Sequence, residues 1–307
     1  MTEGGAKKTE AHAGVPFRLT GRKAGKEPGY APYMPEDFNS PLWETYRGAY
    51  GSIYDYIVTL MSEKEKAPEV IKLRRLDNSP KTNYEMAFDN LCENLCHQMS
   101  FYPASWLALP YLAMLMEDWE KERDLEWTFR GILMAGSCLA TDVFGDRPAE
   151  AQVFESWENA ALHIRVMTIN FLAEHLAYVL EKEPGCRQEF AVAVTAILGE
   201  KKFAYMLFLS AFASCYIGCP SCEFWDEDME FGDSVVSERI QEAERPTELW
   251  DGESLEDAKL WLFNLFALLK DQEGQEKLRC YFGTYTCPEC GERIPVLTGM
   301  EEYYFSE

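Results

Sequence analysis

From Ser40 onward the apolar residues recur at helical spacing. Pro41 suits a first helical position, and Trp43, Tyr46, Tyr50, Ile53, Tyr54 and Ile57 follow at steps of three and four, on one face. The same periodicity predicts helices over about 81–98, 103–117, 127–140, 150–181, 188–214 and 254–271. The last opens on Ser254 with Asp257 three residues on, a capping-box pattern, before the run LWLFNLFALL. Almost nothing alternates with period two before the C-terminus, so the expected class is all-α. Pro80, Pro103, 145–148 and 184–185 mark short connections between antiparallel helices.

Two stretches, 101–116 and 202–216, are apolar on every side. Such helices must be covered nearly all round, which places them in the middle layer of stacked helix pairs. The overlapping segment 203–222 carries no charge over twenty residues, long enough for a membrane span. Gly218, Pro220 and a CxxC occupy its last third, so a buried helix is the expectation and no membrane partner is assigned. Residues 1–35, rich in Gly, Pro and Lys, read as a flexible arm. Its GRKAGK is one residue short of a phosphate loop and lacks the following Ser or Thr.

The segment LCENLCHQMSFYPASWLALPYLAMLM (91–116) resembles the signature of bacterial HEAT-like repeat proteins: a His-Gln pair before a Tyr-Pro-Ala-Ser turn and an Ala-Leu-Pro-Tyr-Leu helix. Helix pairs at near 40-residue spacing continue to about Ser214. The resemblance implies an armadillo-type, right-handed α-solenoid of stacked antiparallel helix pairs with a concave protein-binding face. It also implies a possible kinship with immunity proteins that accompany bacterial toxins. On this reading 36–218 is the repeat domain and 219–307 a smaller zinc-knuckle region.

Charge changes the picture of partners. Against 29 Lys and Arg stand 52 Asp and Glu, a formal −23. A nucleic-acid binder needs the opposite field to release counterions from phosphates, so nucleic acid is excluded as an expected partner. Fourteen acidic and two basic residues fall within 223–257, a local −12, whereas 1–35 is mildly basic. This acidic excursion reads either as a solvated loop or as a lobe receiving a basic partner protein through Trp225, Asp226, Glu227, Asp228, Glu230 and Trp250, together with Phe224 and Phe231.

Ten cysteines supply the most specific chemistry. MTEGGAKKTE is followed by no apolar run, so a secretory signal is not expected and the chain reads as cytoplasmic, where thiols stay reduced. Cys219-Pro-Ser-Cys222 and Cys287-Pro-Glu-Cys290 can offer four thiolates to a tetrahedral structural Zn(II). The second pair is followed by Gly291, suited to a left-handed turn, and sits between the strand-like runs 281–286 and 293–297, as in a zinc-ribbon or rubredoxin-like knuckle. In the first pair Glu223 stands where that Gly would be. Sixty-four residues separate the pairs, far more than in compact ribbons, so a shared site requires the acidic segment to be an excursion. Buried reduced thiols and a redox CxxC remain open, with Cys215 and Cys280 as substitute ligands. Cys92, Cys96, Cys138 and Cys186 read as small core residues.

Only four histidines are present, and no HExxH, Glu-x-x-His or GxSxG motif accompanies them. His175 lies on a stripe with Trp157, Ile164, Thr168, Phe171 and Val179 and reads as a core histidine. His97 reads as bracing the Tyr102-Pro103 turn. The expectation is a non-enzymatic interaction scaffold with one structural zinc. The alternative is a metal- or thiol-dependent enzyme built on a CxxC.

Overall fold

The computed structural model describes residues 32–62, 70–71, 81–210, 214–231, 234–245 and 258–306. The arm up to residue 31, Trp250 and the Ser254/Asp257 capping pattern lie outside these described residues. Within them the chain is mostly helical, with three small antiparallel sheets. The all-α expectation is therefore corrected: a short strand pair lies between the second and third helices, and the strands after residue 213 flank the two CPxC pairs.

The helical body runs α1 (Leu42–Thr45), α2 (Tyr54–Ser62), α3 (Asn83–Cys96), α4 (Ser105–Glu122), α5 (Leu125–Thr141), α6 (Ala151–Leu180), α7 (Pro184–Leu198) and α8 (Lys201–Leu209). Between α2 and α3, β1 (Val70–Ile71) pairs with β2 (Lys81–Thr82). Local chemistry sets several starts. Thr82 and Glu85 form a complete capping box on α3, and Asp124 accepts from the Trp127 N–H at the start of α5. Each such cap contributes about 1 kcal/mol.

The first predicted helix is broken in two, because Gly51 is left-handed (φ 123°) and Gly48 faces it across a bridge. A Cβ on Gly48 would lie 2.8 Å from Asn94, whose carbonyl and side chain accept from the N–H groups of Ala49 and Tyr50. His97 bonds the Tyr50 hydroxyl (2.9 Å), so it braces this turn and not the Tyr102-Pro103 turn. Helix 188–214 is likewise divided, at Gly199 (φ 117°), into α7 and α8.

Packing follows the apolar faces. Consecutive pairs α2/α3, α4/α5 and α6/α7 stack so that α2, α4 and α6 touch in succession, and so do α3, α5 and α7. The all-round apolar α4 lies in the middle, with Ser105 to Ala113 buried without a gap. In α7 nine consecutive residues, Phe190 to Leu198, are buried. Gly136 lets α5 and α7 meet backbone to backbone: a Cβ there would lie 2.4 Å from Ala193 Cα. The stripe on α6 is buried as its spacing predicts, although His175 itself is half-buried at a kink (φ −124°) and packs on Phe171.

The segment 203–222 is not one buried helix. α8 ends at Leu209, and Ser214–Gly218 is β3, whose Cys215 and Ile217 point inward while Ser214 and Tyr216 are half-buried. β3 pairs antiparallel with β4 (Trp225–Glu230). Then come α9 (Ser234–Arg239), β5 (Ile240–Gln241), α10 (Ala258–Leu268), α11 (Gln272–Tyr281), β6 (Thr284–Thr286), β7 (Arg293–Pro295) and α12 (Val296–Phe305). β5, β6 and β7 form one antiparallel sheet in that order. This region is tied to the helices where α10 packs on α7, where α12 packs on α8, and where the buried Tyr281 hydroxyl, 2.9 Å from that of Ser210, donates to the Ser214 carbonyl. Among the described residues, no helix is long and apolar enough to cross a membrane.

Candidate metal centre

Each CPxC forms the tip of a hairpin: Cys219 to Cys222 join β3 to β4, and Cys287 to Cys290 join β6 to β7. The two tips fold identically. The Cys219 N–H donates to the Phe224 carbonyl (2.8 Å), and the Glu223 N–H returns to the Cys219 carbonyl (2.9 Å). In the second tip the Cys287 N–H donates to the Glu292 carbonyl (2.9 Å), and the Gly291 N–H to the Cys287 carbonyl (2.9 Å). The fifth residue of both tips is left-handed, Gly291 at φ 75° and Glu223 at φ 59°. The missing glycine in the first pair therefore does not change the loop; Glu223 carries the strain instead.

Despite the sixty-four residues between them, the tips meet. The sulfurs of Cys219, Cys222, Cys287 and Cys290 all lie within 4.8 Å of one another. Cys219 Sγ is 3.7 Å from Cys290 Sγ, and Cys222 Sγ is 3.6 Å from Cys287 Sγ. A zinc ion at about 2.3 Å from each sulfur gives a tetrahedron with edges of about 3.8 Å, whereas a disulfide needs about 2.05 Å. The spacing fits a shared ion and no disulfide. Cys219 and Cys287 are buried, Cys222 and Cys290 exposed, so the cluster sits at the surface with its inner half covered.

The thiol chemistry agrees with a cation. Backbone N–H groups aim at the sulfurs: Phe224 at Cys222 and, in the matching place of the second tip, Glu292 at Cys290, with Glu289 and Cys290 at Cys287. The Phe224 N–H pulls the Cys222 thiol down, yet desolvation and proton sharing with Cys290, Cys287 and Cys219 carry it up to about 12. Burial pushes Cys287 up, but the N–H groups of Cys290 and Glu289 outweigh it and the net direction is down. Four adjacent thiols cannot all ionise against one another; a divalent cation supplies the missing counter-charge and displaces the protons. Cys215 and Cys280 are buried outside the cluster, their thiols raised by burial, and are not needed as ligands. Of the other four cysteines, Cys138 is buried, Cys92 and Cys96 half-buried, and Cys186 exposed, contrary to its expected core position.

The residues expected to form a partner surface divide. Trp225 is 49% exposed, and Glu227 and Glu230 are exposed. Asp226 is not available to a partner: it is 6% exposed and accepts from the Tyr285 hydroxyl (2.9 Å) and from Arg239 Nη1. This triad crosses from β4 to β6 and α9, locking the two hairpins together beneath the cysteines. Alternation separates Asp226 from Trp225 and Glu227, and the irregularity in the β3–β4 pairing shifts the phase so that Met229 faces in and Glu230 out. Asp228 lies in β4, and Trp250 falls outside the described residues. The acidic excursion is thus partly built structure, with both of its basic residues engaged, Arg239 on Asp226 and Arg245 on Glu276.

Sequence reasoning missed two contributors, Tyr285 and α12. Tyr285 carried one signal, its inward register opposite Ile294 in β6. On α12, Gly299 lets the helix lie on β3, where a Cβ would meet Ile217 Cγ2 at 2.4 Å. Compared with models of known families, with curated proteins and with solved structures, the chain gives no match, so its own geometry alone indicates the chemistry of the centre.

Proposed function

We propose that the chain is a non-enzymatic binding scaffold in which HEAT-like stacked helix pairs form the body, one four-cysteine zinc centre braces the C-terminal hairpins, and a basic protein is the partner. The observation that carries this reading is the cluster of four cysteine sulfurs within 4.8 Å of one another. Four thiolates are enough to fill every position around a zinc ion, which suits a structural zinc; a catalytic zinc keeps one position for water or substrate. Like-on-like stacking of α2, α4 and α6 and of α3, α5 and α7 supports the helix-pair reading. The net charge of −23, with −12 of it in 223–257, supports a cationic partner.

Metal analysis of the purified chain tests the centre. One zinc per chain, with X-ray absorption placing four sulfurs at about 2.3 Å, is the expected result. A nitrogen or oxygen ligand, or an exchangeable water on the ion, would overturn the structural reading in favour of the metal-dependent enzyme. For the partner, Glu227, Glu230, Glu242 and Glu244 are replaced by Asn or Ser. Salt-sensitive capture of a basic protein should fall; unchanged capture removes the acidic segment from the reading.

A further inference from the structure

The exposed Trp225 is one end of a continuous aromatic strip. Its ring packs on Tyr303 (5.0 Å between centroids), Tyr303 on Tyr304 (5.0 Å), Tyr304 on Tyr205 (6.4 Å) and Tyr205 on Phe144 (4.7 Å). Phe305 widens it, 5.2 Å from Phe144. Both ends are open to solvent, Trp225 at 49% and Phe144 at 47%, and the rings between them are half-buried. The strip crosses from the tip of the first cysteine hairpin, over α12, to the turn after α5. Four ring-to-ring steps make it at most roughly 21 Å long, the reach of six or seven extended residues.

Where it runs along β4 and α12, its electrostatic setting is acidic. The strand that carries Trp225, WDEDME, holds four carboxylates and no basic residue, and α12, VLTGMEEYYF, holds two and none. Glu227 accepts from the Tyr303 hydroxyl (3.2 Å) and Glu301 is exposed beside it in sequence. The rings already take a cation from the chain itself: Lys202 Nζ lies 5.0 Å from the Phe305 centroid. Exposed aromatic faces under a negative field are attractive to guanidinium and ammonium groups and unattractive to acidic or purely apolar segments.

We propose that the strip from Trp225 to Phe144 is the docking surface for an extended, arginine- or lysine-bearing segment of a partner protein. Its cations stack on the rings while Glu227 and Glu301 neutralise them. The proposal rests on the reading of a basic partner and adds where that partner sits and how it is recognised. It moves the surface away from the buried Asp226 and onto residues of α12 and the turn after α5.

The probe is a fluorescein-labelled peptide of about ten residues alternating Arg with Gly or Ser, followed by anisotropy with the full zinc-loaded chain. A second peptide carries citrulline, the neutral isostere, at every Arg. The chain should bind the Arg peptide and not the citrulline one. Trp225→Ala and Phe144→Ala should each weaken binding about 2- to 5-fold, the loss expected for one cation–aromatic contact at an exposed site. Trp225→Phe, which keeps a ring, should restore most of it. Zinc content and far-UV dichroism of each variant exclude unfolding as the cause, and Phe144 is remote in sequence from the four clustered cysteines. Equal binding by wild type and both alanine variants overturns the strip, as does equal binding of the citrulline peptide or no binding of the Arg peptide. None of these outcomes decides the basic-partner reading, which stands or falls separately on capture by the acidic-residue variants.

Discussion

The two cysteine tips share the same pair of backbone hydrogen bonds and the same left-handed fifth residue, yet one has glycine there and the other glutamate. This is a controlled comparison within one molecule. A Cβ built on Gly291 meets nothing within 4 Å, so Gly291→Ala adds backbone strain and no clash. Left-handed backbone costs an L-residue about 1–2 kcal/mol, and removing a glycine from the unfolded chain recovers about 0.4–1 kcal/mol. The net cost of Gly291→Ala is therefore roughly 0.5–1.5 kcal/mol, and Glu223→Gly, at φ 59°, should gain about as much. On the proposed reading of a shared zinc, the tips would fold around the ion and these energies would emerge as zinc affinity. Competition with a chromophoric chelator should show about 2- to 10-fold weaker binding for Gly291→Ala and a similar tightening for Glu223→Gly, at roughly tenfold per 1.4 kcal/mol. Glu223→Ala removes the charge but keeps the strain, so it should resemble wild type. If Glu223→Gly weakens binding, or Glu223→Ala tightens it as much as Glu223→Gly does, backbone strain is not what distinguishes the tips.

Other perturbations test the frame around the centre. Tyr285→Phe removes a donor to the buried Asp226 carboxylate and should cost about 1.5–3 kcal/mol in denaturant unfolding, leaving zinc content unchanged. Gly136→Ala forces α5 from α7 and should lower stability by about 1–3 kcal/mol; an unchanged melting temperature would show that the contact gives way freely. Cys287→Ser, or chelation, should open the chain to protease from about Cys219 onward while the helices before Lys182 stay resistant, because metal binding organises only its own region; first cuts within α4 to α6 would contradict this. Burial, then the neighbouring Glu174, raises the Glu120 carboxyl above its ordinary 4.5, so the fold favours its protonated form. That contribution is complete below the unfolded value and is lost as pH rises through the raised one; Glu120→Gln should flatten the part of a stability profile that falls as pH rises above the ordinary 4.5.

The amino-acid sequence alone determined the local facts. Helical spacing located the body of most helices, and the all-round apolar character of 101–116 placed α4 at the centre, because such a surface can exist only when covered. The CPxC pattern named the four sulfurs. Tertiary structure decided what depends on distant partners. Gly51 and Gly199 break helices that periodicity runs together, since apolar spacing does not register a left-handed residue. The uncharged 203–222 splits into helix and strand because β4 offers β3 a hydrogen-bonding edge, and five residues, Ser214–Gly218, are too few for their alternation to stand out from the apolar run before them. Whether the two cysteine pairs meet was not decided by their spacing. In the folded chain Asp226, Arg239 and Tyr285 join the hairpins alongside the cysteines, and Asp226 reads in sequence as one more surface acid. A carboxylate's role depends on what its fold places opposite it, and only the folded chain supplies that neighbour.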